Sequence, residues 1–373
     1  MKDPMTDSKS EKTSLPRDPR IAETMRAWRV HEFGPDPITA MQLDEIPVPE
    51  PGPAELLVRN QGVPLNLNDI ERVNGRNMMV RPSLPVIPGM ETMGIVMGCG
   101  PGTESWFGKR VIAMPKQATG GYAEYSICPT VSAFEIPEEI RLPHAAAIYF
   151  PYHLAWLGLI DRADLRAGES VLIHAAAGGS GCAAVQLAKH LGARVFATAG
   201  TDEKLGICRD NGADVCINYD KDDFAEVILK ETGGRGVDVV FDNVGEGVME
   251  KSMKALAYNG RYLMMGFASD KKFADEKLIV PRRVIAGNMK LCGTLLSYAE
   301  PPVQAMMKNA MGWNFCSHEL GEKITREIVE LVLAKKLKPM VGQLISFDEI
   351  PAALTRMRDR QTVGRTIARL EDL

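Results

Sequence analysis

Seven consecutive small residues, Ala175, Ala176, Ala177, Gly178, Gly179, Ser180 and Gly181, are the stretch of this sequence best suited to hold an anion. With no bulky side chain in the way, the backbone can close on a pyrophosphate. Free N–H groups at a helix N-terminus then point at it. The elements needed to present such a turn surround it. An apolar run from Val171 to His174 reads as a buried strand, and Ala183, Ala184, Leu187, Ala188 and Leu191 recur at helical spacing. Residues 194–198 read as a second strand, closed by Gly200. Strand, glycine turn, helix and strand within about 30 residues make the βαβ unit of a dinucleotide-binding fold.

The tip of the second strand carries the next signal. A site for NAD usually has an acid there, bonded to the ribose 2′-OH. Here the chain reads Thr198-Ala199-Gly200-Thr201, with no acid at the tip, and Lys204 follows four residues after Gly200. A small residue there leaves room for a 2′-phosphate, and the missing acid favours NADPH, while Lys204 taken alone reads as a solvated helix lysine. Asp202 and Glu203 oppose that reading in charge and are expected in the following helix.

Strands and helices alternate on both sides of this unit. Helices are expected at 204–211, 222–232 and 248–256, and strands at 214–217, 237–241 and 260–265. That alternation predicts a parallel, doubly wound sheet with right-handed crossovers. Residues 289–296 read as a last strand at an edge. Earlier in the chain, short runs at 25–30, 54–62, 84–100, 108–114 and 120–128 are punctuated by Gly and Pro, with a helical turn at 68–73. They predict a small β-rich, barrel-like domain. A helical pattern over 143–159 links the two parts. Two amphipathic helices, 300–311 and 322–334, precede a strand–helix–strand tail that returns to the first domain.

Composition limits what the chain can do. Of its 373 residues 45% are hydrophobic and 25% charged, with a net charge of −4, which gives no support to a nucleic-acid or anionic-membrane partner. No apolar run reaches about 18 residues, so no membrane span is expected. The polar N-terminus lacks the apolar core of a secretory signal and is expected to be an unordered tail over residues 1–24. The seven cysteines are scattered and form no CxxC, which suits free thiols in a cytoplasmic protein.

Over residues 25–370 the chain resembles the zinc-independent quinone oxidoreductase (zeta-crystallin-like) branch of the medium-chain dehydrogenase/reductase superfamily. The resemblance rests on NLND (66–69), PGME (88–91), GGYAEY (120–125), AAAGGSGCAAVQLAK (175–189), GAD with INY (212–219), FDNVG (241–245) and GRYLMMGFAS (260–269). It implies an α/β fold in which a GroES-like catalytic domain, residues 25–150 plus 298–373, is interrupted by a Rossmann doubly wound parallel-sheet domain over 151–297 that binds NADPH.

The resemblance also assigns roles. Ala177, Gly178, Gly179, Ser180 and Gly181 would face the pyrophosphate. Gly200, Thr201, Lys204 and Tyr219, with Arg360, would surround the 2′-phosphate. Asn243, Val244, Gly266 and Phe267 would lie along the ribose and nicotinamide. Asn66 and Asp69 match the active-site N-x-x-D, with Asn66 donating to a substrate carbonyl and Asp69 fixing the local turn. Apart from the resemblance, Met90 and Tyr152, with Met78, Met79 and Tyr149, read either as the lining of a greasy acceptor pocket or, for the methionines, as ordinary core filler. Leu154 stands where relatives carry a threonine near the nicotinamide. No metal is expected: zinc-dependent cousins place Cys and His where this chain has Pro64 and Met90, and neither is a zinc ligand.

Without a Lewis acid, hydride delivery to a quinone or another conjugated carbonyl fits better than alcohol oxidation. An enoyl-CoA or enoyl-carrier-protein reductase is the alternative, although the tyrosine expected after Gly75 is absent. A third reading is an NADPH-binding partner protein without turnover. A homodimer joined at the edge strand near 289–296 is expected.

Overall fold

The computed structural model describes residues 15–76, 82–265 and 281–370. The chain begins with β1 (Thr24–Val30), α1 (Pro37–Ala40), β2 (Met41–Pro47), β3 (Glu55–Pro64), α2 (Leu67–Asn74), β4 (Thr92–Cys99), β5 (Arg110–Ala113), β6 (Tyr125–Pro129) and β7 (Ala133–Glu135). β1 and β2 form an antiparallel hairpin. β2 escaped the sequence reading because its residues are largely exposed and alternate with charge. β3 carries Leu56, Leu57 and Val58, all fully buried, because β4 and β6 pair with it on either side. α2 ends at Gly75, whose φ of 72° is left-handed, and a Cβ there would strike the Phe33 ring at 2.7 Å.

Of residues 15–23, expected to belong to an unordered tail, residues 16–18 are instead laid along β4. Cys99 N–H donates to the Pro16 carbonyl at 2.9 Å, and Asp18 N–H to that of Met97 at 2.8 Å. The backbone of β4 offered free hydrogen-bonding groups there, and the tail segment satisfies them. The Asp18 carboxylate is then held by Arg20 through a guanidinium contact of 2.6 Å and a backbone N–H.

The middle of the chain is a six-stranded, wholly parallel sheet. In order come α3 (Tyr149–Trp156), β8 (Ser170–Ile173), α4 (Gly179–His190), β9 (Arg194–Ala199), α5 (Asp202–Asp210), β10 (Val215–Asn218), α6 (Phe224–Glu231), β11 (Val237–Asp242), α7 (Glu246–Lys254), β12 (Leu256–Met264), α8 (Pro281–Gly287) and β13 (Lys290–Gly293). The strand order is β10-β9-β8-β11-β12-β13. Helices cover both faces, so residues of the central strands are buried on both sides. Val171, Ile173, Val239 and Phe241 enter one core, while Leu172, Phe196, Val240 and Tyr262 enter the other. That is why these strands read as continuous apolar runs. β13 is the sheet edge and is only partly covered.

The chain then runs through α9 (Pro301–Met311), α10 (His318–Leu333), β14 (Val341–Ser346), α11 (Ile350–Arg358) and β15 (Arg365–Arg369). β15 lies antiparallel to β3, which makes the first sheet β14-β15-β3-β4-β5-β7, with β6 also on β3. β14 and β15 therefore enter a sheet whose other members precede them by more than two hundred residues. Among the described residues no helix is long and apolar enough to cross a membrane.

Candidate functional site

The glycine turn follows the carboxyl end of β8, and the strand order reverses between β8 and β11. Open parallel sheets bind ligands in that crevice. Gly178 caps α4 with extended backbone and no side-chain cap, so the first N–H groups of the helix are left for an anion. A Cβ on Gly181 would lie 2.2 Å from the Ala175 carbonyl oxygen, so no larger residue fits. A Cβ on Gly179 would lie 2.4 Å from Cδ of Arg365. The C-terminal segment closes the turn, with Gly364 N–H donating to the Ala177 carbonyl at 2.8 Å. Ser180 stands half-buried in the first turn of α4.

Gly200 follows β9, and a Cβ there would meet the Tyr219 hydroxyl at 2.8 Å and an Asp220 carboxylate oxygen at 3.0 Å. Thr201 caps α5 by accepting from Lys204 N–H. Lys204 Nζ donates to the Arg360 carbonyl at 2.6 Å, a contact that the left-handed backbone of Arg360 (φ 59°) makes possible. Lys204 and Arg360, 156 residues apart, are thus brought together beside Gly200 and Tyr219. Asp202 and Glu203 lie in the first turn of α5, as expected. The Asp202 carboxylate is occupied by Lys221 at 2.7 Å and Asn218 at 3.1 Å, and the Lys221 bond above all holds its pKa down.

At the end of β11, Asp242 accepts from the N–H groups of Val244 and Gly245 at 2.7 and 2.9 Å and from the Tyr262 hydroxyl at 2.5 Å. These bonds fix the turn that carries Asn243 and Val244, and Asn243 Nδ2 donates to the His174 carbonyl at 3.3 Å. Gly266 and Phe267 lie outside the described residues, as do Met78 and Met79. His174 is fully enclosed between Thr198 and Ser252, with one ring nitrogen bonded to each, and burial pushes its pKa down to about 3. It is a neutral packing residue.

A buried polar cluster lies within the first domain, between the start of α2, the segment before β4 and the last strand β15. Asn66 begins α2, and its N–H donates to Asp69 Oδ2 at 2.9 Å. Asp69, with no exposed surface, also accepts from the Tyr122 hydroxyl at 2.7 Å and from Met90 N–H at 3.1 Å. Asp69 therefore ties three backbone segments together. Asn66 Nδ2 donates to Glu91 Oε1 at 2.8 Å, and Arg365 Nη1 donates to Asn66 Oδ1 at 2.8 Å. Arg365 Nη2 is ion-paired with Glu91, whose other oxygen accepts from Phe150 N–H at 3.0 Å. Burial pushes the Glu91 carboxyl up against the pull of the Arg365 guanidinium. Arg365 is 6% exposed, and its Nε is buried without a partner.

Glu91 and Arg365 were not singled out in the sequence. The available signal was a carboxylate set among Met90, Thr92 and Met93, and an arginine opening an apolar strand. A buried charge of either sign requires a partner of the other.

Of the residues expected at the acceptor pocket, Tyr152 is 1% exposed, and its hydroxyl bonds Gln186 at 3.2 Å, which holds α3 against α4. Tyr149 and Met90 are buried as well. Tyr149 packs on Phe134 and His153 because α10 and β7 cover that side of α3. Among the described residues no group of three or more His, Cys, Asp or Glu is placed to hold a metal ion.

Residues 52–138 match the alcohol dehydrogenase GroES-like domain, and residues 179–313 match the zinc-binding dehydrogenase family. The chain is 35% identical to a quinone oxidoreductase of Pongo abelii over 65% of its own length and 73% of the relative's. It is 31% identical to a 2-haloacrylate reductase of Burkholderia sp. over 87% and 93%. Among solved structures it is similar to the mycobacterial protein Rv1454c complexed with NADPH, at a TM-score of 0.80 and 27% identity over 93% of this chain and 100% of that one. Escherichia coli quinone oxidoreductase complexed with NADPH gives a TM-score of 0.80 and 25% identity over 92% and 100%. The chain belongs to the quinone oxidoreductase-like members of the medium-chain dehydrogenase/reductase superfamily and is an oxidoreductase.

Proposed function

We propose that this enzyme binds NADPH and, without zinc, reduces a quinone or another acceptor conjugated to a carbonyl. The observation that carries the reading is the bond from Lys204 to the Arg360 carbonyl beside Gly200 and Tyr219, at the tip of β9, which carries no acid of its own. When bound, NADPH supplies a hydride. Lys204, Arg360 and the Tyr219 hydroxyl hold the 2′-phosphate. The N–H groups opening α4 hold the pyrophosphate, and the unpartnered Arg365 Nε gives that end of the site a further donor. Asn243 and Val244 flank the ribose.

Asn66 keeps one amide N–H beyond its bond to Glu91, and that N–H can donate to an acceptor oxygen. The final proton comes from solvent, because reduction of an electron-poor acceptor needs no side-chain acid. Pro64 and Met90 offer no donor suited to zinc, which directs the chemistry away from simple alcohols. Two similar proteins are a quinone oxidoreductase and a 2-haloacrylate reductase, and both names describe electron-poor acceptors. The edge strand β13 provides the surface for a homodimer.

The test is loss of reduced-nicotinamide absorbance with 9,10-phenanthrenequinone, 1,4-benzoquinone, 2-chloroacrylate and crotonyl-CoA, each with NADPH and NADH. Oxidation of NADPH by a quinone or the haloacrylate supports the reading. Turnover of the thioester alone, or preference for NADH, contradicts it.

A further inference from the structure

We propose that Asp220 sets the margin by which this enzyme prefers NADPH over NADH, as an unpaired carboxylate placed against the 2′-phosphate pocket. The inference rests on the NADPH reading above. Gly200 is the floor of that pocket, and the point where its Cβ would stand is shared by two side chains. The Tyr219 hydroxyl is 2.8 Å from it and Asp220 Oδ2 3.0 Å. One of these groups can donate to a phosphate, and the other repels it.

The nearby acids differ in how they are held. Asp202 is neutralised by Lys221 and bonded by Asn218, so its charge is largely spent. Asp220 is exposed, and its carboxylate has no ion-pair or hydrogen-bond partner among the described residues; only its backbone N–H is bonded, to Asn218 Oδ1 at 3.1 Å. Asp220 therefore leaves its carboxylate uncompensated by any partner among the described residues, next to Tyr219. Lys204 and Arg360 attract the dianionic 2′-phosphate, and Asp220 subtracts from that attraction. For NADH, whose ribose carries a neutral 2′-OH in that place, the same carboxylate costs nothing and can accept a hydrogen bond. The net effect is a site that favours NADPH by less than its cations alone would give. Because the carboxylate is solvated, the opposition is screened and modest, about threefold to tenfold in affinity.

The test is calorimetric binding of 2′,5′-ADP and 5′-AMP, which report the phosphate pocket without turnover, to the wild type, Asp220→Asn and Lys204→Ala. Asp220→Asn is expected to bind 2′,5′-ADP about fivefold tighter with 5′-AMP no tighter, and the gain should shrink at high salt. The ratio of kcat/KM for NADPH to that for NADH should rise by the same factor. Unchanged or weaker binding of 2′,5′-ADP by Asp220→Asn overturns the inference while leaving the NADPH reading intact. If the wild type binds 2′,5′-ADP no tighter than 5′-AMP, and Lys204→Ala changes nothing, the NADPH reading falls and this inference with it.

Discussion

The side chain of Arg365 lies across the glycine turn, with its Cδ 2.4 Å from where a Cβ on Gly179 would stand. The same guanidinium closes on Glu91 and Asn66, beside the sheet that β15 shares with β3. One residue thus joins the cofactor turn to the buried polar cluster at the start of α2. Gly179→Ala should force Arg365 out of place, costing about 1–3 kcal/mol by overpacking. Chemical denaturation measures that cost. A parallel titration should find NADPH binding weakened in the same variant.

Removing the acid from the cluster is more damaging. Glu91→Ala would leave the Arg365 guanidinium buried with Asn66 as its remaining partner, and such a loss costs about 3–5 kcal/mol. Urea denaturation should register it, and cofactor binding should weaken because Arg365 loses its anchor. Equal stability of Glu91→Ala and wild type would mean that the pair is solvated.

Lys204→Ala should raise the KM for NADPH at least about tenfold and leave that for NADH within about twofold, since the loss of a charge-assisted contact falls on the 2′-phosphate alone. Steady-state kinetics with a quinone acceptor compares the two directly.

Acid should destabilise the fold through two enclosed histidines. Burial lowers the pKa of both His174 and His153 from 6.5 to about 3. Between those values the unfolded chain binds protons that the folded rings refuse. Stability therefore rises with pH across the window and is lost on acidification, by up to about 1.4 kcal/mol per pH unit for each ring. His174→Gln should flatten the pH dependence of unfolding free energy between pH 6 and pH 4 by about one proton. An unchanged slope would show that the ring is reached by water.

Tyr152→Phe separates a packing role from a pocket role. Only the bond to Gln186 is lost, which costs about 0.5–1.5 kcal/mol, and the ranking of acceptors should not change. Comparing relative rates across the acceptor panel checks this.

What the sequence made legible was local. The runs at Val171 and Val237 announced buried parallel strands because helices cover both of their faces, and the turn at 177–181 announced itself because only small residues survive there. Lys204 was legible from its distance to Gly200. Arg365 was not, because its partners Asn66 and Glu91 are 299 and 274 residues away, and only the pairing of β15 with β3 brings them together. The neighbour that covers Tyr152 was hidden for a related reason. Helical spacing shows that a residue is apolar-facing but not which neighbour covers it, and Gln186 of α4 does so here. Residues 15–23 looked polar enough to stay free, yet the open backbone of β4 gave Pro16 and Asp18 hydrogen-bond partners.

The central claim is that a hydride passes from NADPH to a conjugated acceptor at this site. Single-turnover oxidation of NADPH deuterated at nicotinamide C4, in the R form and in the S form, with 1,4-benzoquinone and with 2-chloroacrylate, measures that transfer directly. The account predicts that one deuterated form, the same with both acceptors, reacts several-fold more slowly, and that its deuterium appears bonded to carbon in the reduced acrylate. Equal rates for both forms, or no deuterium in the product, would contradict it.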